Sequence, residues 1–329
     1  MNIKGQSTIQ WYPGHIAKAE KDLKEQLKRV DVVLEVRDAR IPLTTQHPKI
    51  PDWVGSKSRV LVLNRVDMIP PQMQQLWTKW FHAQGEVPYF TDAQHGKGVA
   101  AVAKAASAAG VEVNQKRRDR GMLPRPVRAV VIGFPNVGKS ALINRLLGKR
   151  VVESARRAGV TKQLRWIRIS DTIELLDAPG VIPAKLDDQE TAVKLAICDD
   201  IGEASYDNQR VAAELVELLK YIEAVASNFL PESPLKSRYE LDAVDITGED
   251  YLVALAKLKY QGDVERTARQ LLNDFRTGLL GKIPLELPPG WRCLNYPSVF
   301  ILLVKIQIPV CDRAFWSKRL YFCKENREN

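Results

Sequence analysis

Through the first half of the chain, short apolar runs alternate with amphipathic stretches. Val30 to Val36 and Arg59 to Leu63 are short runs dominated by β-branched residues and leucine. Runs of that length, bounded by turn residues, predict strands buried on both faces. Val87 to Thr91 reads as a third strand, while residues 71–84 and 98–109 carry helical spacing. This βαβα alternation predicts a parallel sheet with helices on both faces. Ahead of it, Ile16, Ala19, Leu23 and Leu27 recur at helical spacing among Lys18, Lys21, Lys24, Lys28 and Arg29, so residues 14–29 read as a basic amphipathic helix.

Residues 112–126 interrupt the pattern. Lys116, Arg117, Arg118, Arg120 and Arg125, with Gly121, Pro124 and Pro126, read as a basic linker or loop. Val127 to Gly133 is again a strand, running into a Gly-rich turn and a helix. Gln163 to Ile169 and Ile173 to Asp177 form a hairpin-like pair. Beyond residue 189 the strand signal fades. Residues 189–198, 209–227, 249–258 and 264–276 read as helices, the last with Val264, Ala268, Leu271, Leu272 and Phe275 in one stripe. The expected organisation is an α/β domain over 1–190, a small all-helical domain over 195–288, and a tail over 289–329.

Composition narrows the setting. The 329 residues carry a net charge of +10 and a pI near 9.4, which favours a polyanionic partner. Cys198, Cys293, Cys311 and Cys323 have no CxxC spacing, so neither a zinc site nor a redox motif is suggested, and a reducing compartment is expected. Residues 1–12 are polar, with no signal-peptide core, and no apolar run approaches the ~20 residues of a membrane helix.

The chemistry concentrates in a few segments. Gly133-Phe134-Pro135-Asn136-Val137-Gly138-Lys139-Ser140 matches GxxxxGK[ST], with a strand before it and a helix after. Its glycines let backbone N–H groups wrap phosphates at a helix N-terminus. Lys139 should reach the β- and γ-phosphates, and the Ser140 hydroxyl should ligate Mg²⁺. Asn136, Val137, Gly138 and Ala141 complete the expected phosphate-side contacts. Asn64-Arg65-Val66-Asp67 follows a strand, as a guanine-reading Asn-Lys-x-Asp motif would, although Asn and Asp after a strand also make plain turns. A carboxylate at Asp67 could accept the N1–H and 2-amino donors of guanine, which adenine lacks as a pair. Arg65 stands where lysine is usual, and the two are not interchangeable. Asp177-Ala178-Pro179-Gly180 fits DxxG, with Asp177 near Mg²⁺ and the Gly180 amide facing the γ-phosphate. Thr161 offers a switch-loop hydroxyl to Mg²⁺, and Thr91-Asp92-Ala93 lies where a base-contacting loop belongs.

The order of these pieces is unusual. The guanine motif and base loop precede the P-loop, so the fold class expected is a circularly permuted P-loop GTPase with a helical C-terminal domain. At this point the chain resembles the ribosome biogenesis GTPase A family. Trp11-Tyr12-Pro13-Gly14-His15 is similar to that family's W-[FY]-P-G-H-M opening. Asp38-Ala39-Arg40-Ile41-Pro42 matches its D-A-R-x-P element, and Phe275 to Gly281 its F-R-x-G-x-[LF]-G. The resemblance covers about residues 9–288. It implies a slow GTPase acting on the large ribosomal subunit and its rRNA, a monomer off the ribosome, using GTP, Mg²⁺ and K⁺.

Val181 and Ile182 follow DxxG, so no glutamine is there to orient water. His15 is the candidate for that task, or it caps the nearby helix or contacts RNA. The resemblance links Asn136 to a bound K⁺; otherwise it is a turn residue. The catalytic candidates are therefore His15, Lys139 and Thr161. The basic stretches 14–29 and 116–128 are candidate RNA contacts. A GTP-gated binding module with little turnover is the competing reading. After Pro289 the resemblance stops. Residues 290–329, rich in Cys, Trp, Tyr and Phe, read as a divergent tail from a retained intron or altered frame. That points to a eukaryotic chloroplast or mitochondrion, whereas a bacterial source would mean the cytoplasm.

Overall fold

The computed structural model describes residues 23–148, 165–169, 173–178, 188–226, 229–230 and 232–290, with backbone only at Arg165, Asp177 and Ala204. Met1–Leu287 forms one compact unit and Pro288–Asn329 a second.

The first unit is built on a six-stranded sheet. The chain runs β1 (Val32–Asp38), α1 (Ile50–Val54), β2 (Ser58–Asn64), α2 (Pro71–Ala83), β3 (Pro88–Thr91), α3 (Val99–Asp119), β4 (Val127–Ile132), α4 (Lys139–Leu147), β5 (Arg165–Arg168) and β6 (Ile173–Asp177). Strand order is β3-β2-β1-β4-β6-β5, parallel except for β5 against β6. The apolar runs end up in the middle because both faces are covered. On one side Val33, Val130, Ile132 and Leu176 pack with Leu23, Leu27 and Ile50. Farther along the same face Leu61 and Leu63 pack with Met73, Trp77 and Phe81 of α2, while α3 lies against β1, β2 and β4 on the opposite face.

One expectation needs correction. Residues 112–119 are not linker but the final turns of α3. Lys116–Glu112 and Gln115–Asp119 pair one turn apart, and Lys116, Arg117 and Arg118 sit in the last turn, where the helix dipole favours cations. The chain turns only at Gly121, whose φ is +71°. Strand β1 also buries two charges that its apolar pattern hid. Glu35 accepts from Arg37 Nε at 2.6 Å and from Arg59 Nη1 of β2 at 2.7 Å.

The helices α5 (Gln189–Ile197), α6 (Asn208–Ala226), α7 (Pro234–Tyr239), α8 (Gly248–Lys259) and α9 (Val264–Thr277) follow. Helices α6, α8 and α9 pack together through buried residues such as Leu215, Leu219, Leu252, Leu255 and Leu271. Past α9 the chain returns to the sheet. Leu285 and Glu286 N–H groups donate to Arg40 O, and the Glu286 carboxylate accepts from the Leu43 and Thr44 amides at 2.8 and 3.0 Å. Among the described residues no helix is long and apolar enough to cross a membrane.

Candidate functional site

The P-loop joins β4 to α4 at the C-terminal edge of the sheet. Two of its glycines are required by close approach. A Cβ on Gly133 (φ +152°) would lie 2.2 Å from Val36 O, and one on Gly138 (φ +100°) 2.0 Å from Asn64 Nδ2. The buried Lys139 ammonium donates to the carbonyls of Phe134 at 2.6 Å and Gly133 at 3.2 Å. It lies folded across its own loop, at the N-terminus of α4, where helix geometry favours anions. Ser140 and Ala141 occupy the same first turn.

Strand β2 delivers the second half of the site. Asn64 donates from Nδ2 to Val137 O at 2.8 Å, and its Oδ1 accepts from the Thr91 hydroxyl and the Ala93 amide, both at 3.0 Å. One buried amide therefore ties the P-loop, the Asn-Arg-x-Asp segment and the Thr91-Asp92-Ala93 loop together. Asp92 braces its loop through His95, accepting from the backbone amide at 3.0 Å and meeting Nδ1 at 2.6 Å. Arg65 adopts φ +64° and donates from Nη2 to Asn136 O at 2.8 Å. Asp67 sits exposed in a short 3₁₀ turn, Val66–Met68. Although the residue is open to solvent, desolvation by the protein around its carboxyl and the Asp92 carboxylate push its pKa up, against a backbone hydrogen bond, Arg65 and His95.

Beneath these residues lies a buried charge cluster that the sequence pattern did not reveal. Asp38 accepts from Arg40 Nη2 at 2.7 Å and Nε at 3.0 Å, and Arg65 Nε stands 3.6 Å away. Burial alone would raise Asp38, but the Arg40 guanidinium holds it below the ordinary carboxylate value. Asp200 is the opposite case. Both its oxygens are buried without a hydrogen-bond partner among the described residues, and burial, with Asp38 facing it, drives its pKa well above 3.8. Stability from such a group is complete below the ordinary value and is lost as pH rises through the folded one. Asp200→Asn should therefore be more stable than wild type at pH 7.5, by roughly 1–3 kcal/mol. The gain should shrink towards pH 4, and urea melts across that range read it. No gain at pH 7.5 would mean that Asp200 carries no penalised charge.

The structure brings together Asn64, Arg65, Asp67, Thr91, Asp92, Ala93 and the P-loop from Asn136 to Ala141. Asp177 closes β6 in register with Val131 of β4, so the DxxG strand ends beside the P-loop strand. His15, Thr161 and Gly180 lie outside the described residues.

A mostly parallel sheet whose strand-to-helix P-loop is hydrogen-bonded to a guanine-type motif from an earlier strand defines a P-loop GTPase in permuted order. The family model described as "50S ribosome-binding GTPase" matches residues 128–228. Ribosome biogenesis GTPase A of Bacillus cereus is 36% identical over 286 residues, covering 85% of this chain and 94% of that protein. Mitochondrial ribosome-associated GTPase 1 of Mus musculus is 29% identical, covering 86% and 92%. GNP-bound YlqF from T. maritima superposes with a TM-score of 0.57 at 23% identity, over 83% of this chain and 99% of that one, which bears on the fold. The chain belongs to the ribosome biogenesis GTPase A family and is a GTPase.

Proposed function

We propose that the protein is an assembly factor for the large ribosomal subunit, binding pre-ribosomal RNA or particles with GTP and leaving after hydrolysis. The observation that carries the nucleotide half is the Asn64 amide, which joins phosphate loop and base loop into one site. The names of its relatives and the basic charge support the ribosomal half.

In this reading Asp67 accepts the guanine edge and Arg65 covers the base. Lys139 turns from its own loop carbonyls to the β- and γ-phosphates, and the Gly180 amide faces the γ-phosphate. Ser140, Thr161 and Asp177 suit Mg²⁺ as oxygen donors, with Ser140 opening α4 beside the end of β6. Asn136 would offer its amide oxygen to K⁺. Either ion would supply positive charge beside the phosphates. His15 orients the attacking water, since Val181 and Ile182 cannot. The exposed basic end of α3, Lys116 to Arg120, and the basic stretch 14–29 are the RNA contacts, made chiefly to phosphates. Free of the ribosome the protein is a monomer. Its compartment is an organelle of bacterial descent, a reading supported by the divergent tail and the mitochondrial mouse relative; a bacterial source would put it in the cytoplasm.

The test is GTP hydrolysis by the purified protein with and without large subunits, in K⁺ and in Na⁺. Subunits should stimulate turnover in K⁺, and His15→Ala should lose about 100-fold or more of the stimulated rate. Tight GTP binding without stimulation in any condition would favour a GTP-gated docking module instead.

A further inference from the structure

Helix α5 ends in a turn that glycine usually makes. The Asp200 amide donates to Leu195 O at 2.8 Å and the Asp199 amide to Ala196 O at 3.1 Å. This doubly bonded turn needs a left-handed residue. Helix α9 supplies Gly278 (φ +80°) for the same purpose, whereas α5 uses Asp199, at φ +66°.

The carbonyls of that turn are capped by side chains from three separate segments. Arg276 donates from Nη2 to Ala196 O at 2.8 Å and from Nε to Ile197 O at 3.0 Å. Arg40 Nη2 donates to Cys198 O at 3.1 Å, while its guanidinium lies 5.4 Å from the Phe275 ring. Asn136 of the P-loop donates from Nδ2 to Asp199 O at 2.6 Å. The D-A-R and F-R-T-G elements thus meet the P-loop at one helix end, where the dipole favours such donors. Among the described residues five non-glycines have positive φ, and three of them, Arg65, Asn136 and Asp199, form a single hydrogen-bonded line. Left-handed backbone on a non-glycine residue persists only where its surroundings impose it.

We propose that Asp199, through its backbone carbonyl, is a positioning residue for the P-loop. The carbonyl holds the Asn136 side chain while Arg65 holds the Asn136 carbonyl, and between them they keep the loop in its wrapping conformation. Nucleotide affinity and the seating of α5 on the P-loop are therefore coupled, each strengthening the other. This rests on the P-loop being the nucleotide site.

The test is affinity for fluorescent GDP in the full chain. Lys139→Ala, the control for the site itself, should lose binding. Asp199→Gly keeps the carbonyl in place and should stay within about twofold of wild type. Asp199→Val, β-branched and disfavoured at positive φ, should weaken GDP about tenfold. Asp199→Val combined with Asn136→Ala should be no weaker than Asn136→Ala alone, because a positioning residue acts only through the group it holds. General damage to the fold would multiply instead. Wild-type affinity in Lys139→Ala would remove the P-loop reading itself. Loss in Lys139→Ala with wild-type affinity in Asp199→Val, or multiplying losses in the double variant, would overturn the positioning role alone. Should Asp199→Val not fold, hydrogen exchange on the wild type decides: GDP should slow exchange of the Asp199 and Asp200 amides, and unchanged exchange refutes the coupling.

Discussion

Asp67→Asn should weaken GTP binding by about 150- to 20,000-fold and admit xanthosine triphosphate in its place. The range corresponds to losing two charge-assisted hydrogen bonds, at about 1.5–3 kcal/mol each. Guanine presents N1–H and a 2-amino group, and Asp67 is the exposed carboxylate at the mouth of the Asn64 junction. An asparagine there offers one acceptor and one donor. Xanthine, with an oxygen at the 2-position, is the complementary base. Competition against fluorescent GDP reads both changes, and unchanged GTP affinity would remove Asp67 as the guanine reader. The neighbouring Asn64 predicts a different phenotype. Its amide is spent inside the protein, so its loss should loosen the loops towards any nucleotide rather than change the preferred base.

The second large effect concerns stability. Asp38→Ala deprives the fully buried Arg40 of the carboxylate that accepts from its Nε and Nη2, leaving the Cys198 carbonyl as a neutral acceptor. Stranding one partner of a buried pair costs about 3–5 kcal/mol. Domains commonly have only about 5–15 kcal/mol in total, so the variant should lie close to unfolding at 37 °C. Removing both partners, Asp38→Ala with Arg40→Met, should cost less than the sum of the single changes, because the buried Arg40 charge goes with its partner. Denaturant melts of the single and double variants test this. Additive losses would mean that Asp38 acts on the fold by some route other than Arg40.

The layout of the sheet was legible because its strands are short, apolar and separated by helical spacing. Parallel strands buried on both faces write themselves as near-continuous hydrophobic runs. The P-loop was legible because it is local: four positions of fixed type within eight residues do one job. What escaped is long-range or ambiguous in composition. The end of α3 is basic and polar, and such residues serve a solvated helix and a linker equally well. Glu35 and Arg37 lie in β1 because they pair with each other and are completed from outside the strand, Glu35 by Arg59 of β2 and Arg37 by Gln46. The Asp199 turn has no glycine to announce it. Its role emerges only where Arg40, Asn136 and Arg276 arrive from distant parts of the chain. The D-A-R and F-R-T-G elements could be read as motifs, but their meeting at one helix end could not.

The strand order also has a consequence for how the chain is made. β1 is a central strand, flanked by β2 on one side and β4 on the other. During synthesis β2 and β3 emerge soon after it, so the half of the sheet that carries Asn64 and Thr91 can assemble early. The other edge of β1 stays unpaired until Val127–Ile132 has left the ribosome. That edge is apolar and offers open backbone hydrogen-bonding groups, the kind of surface that recruits wrong partners. Permutation thus relocates the vulnerable interval of translation. In this chain it falls between the half that carries Asn64 to Asp67 and the half that carries the P-loop.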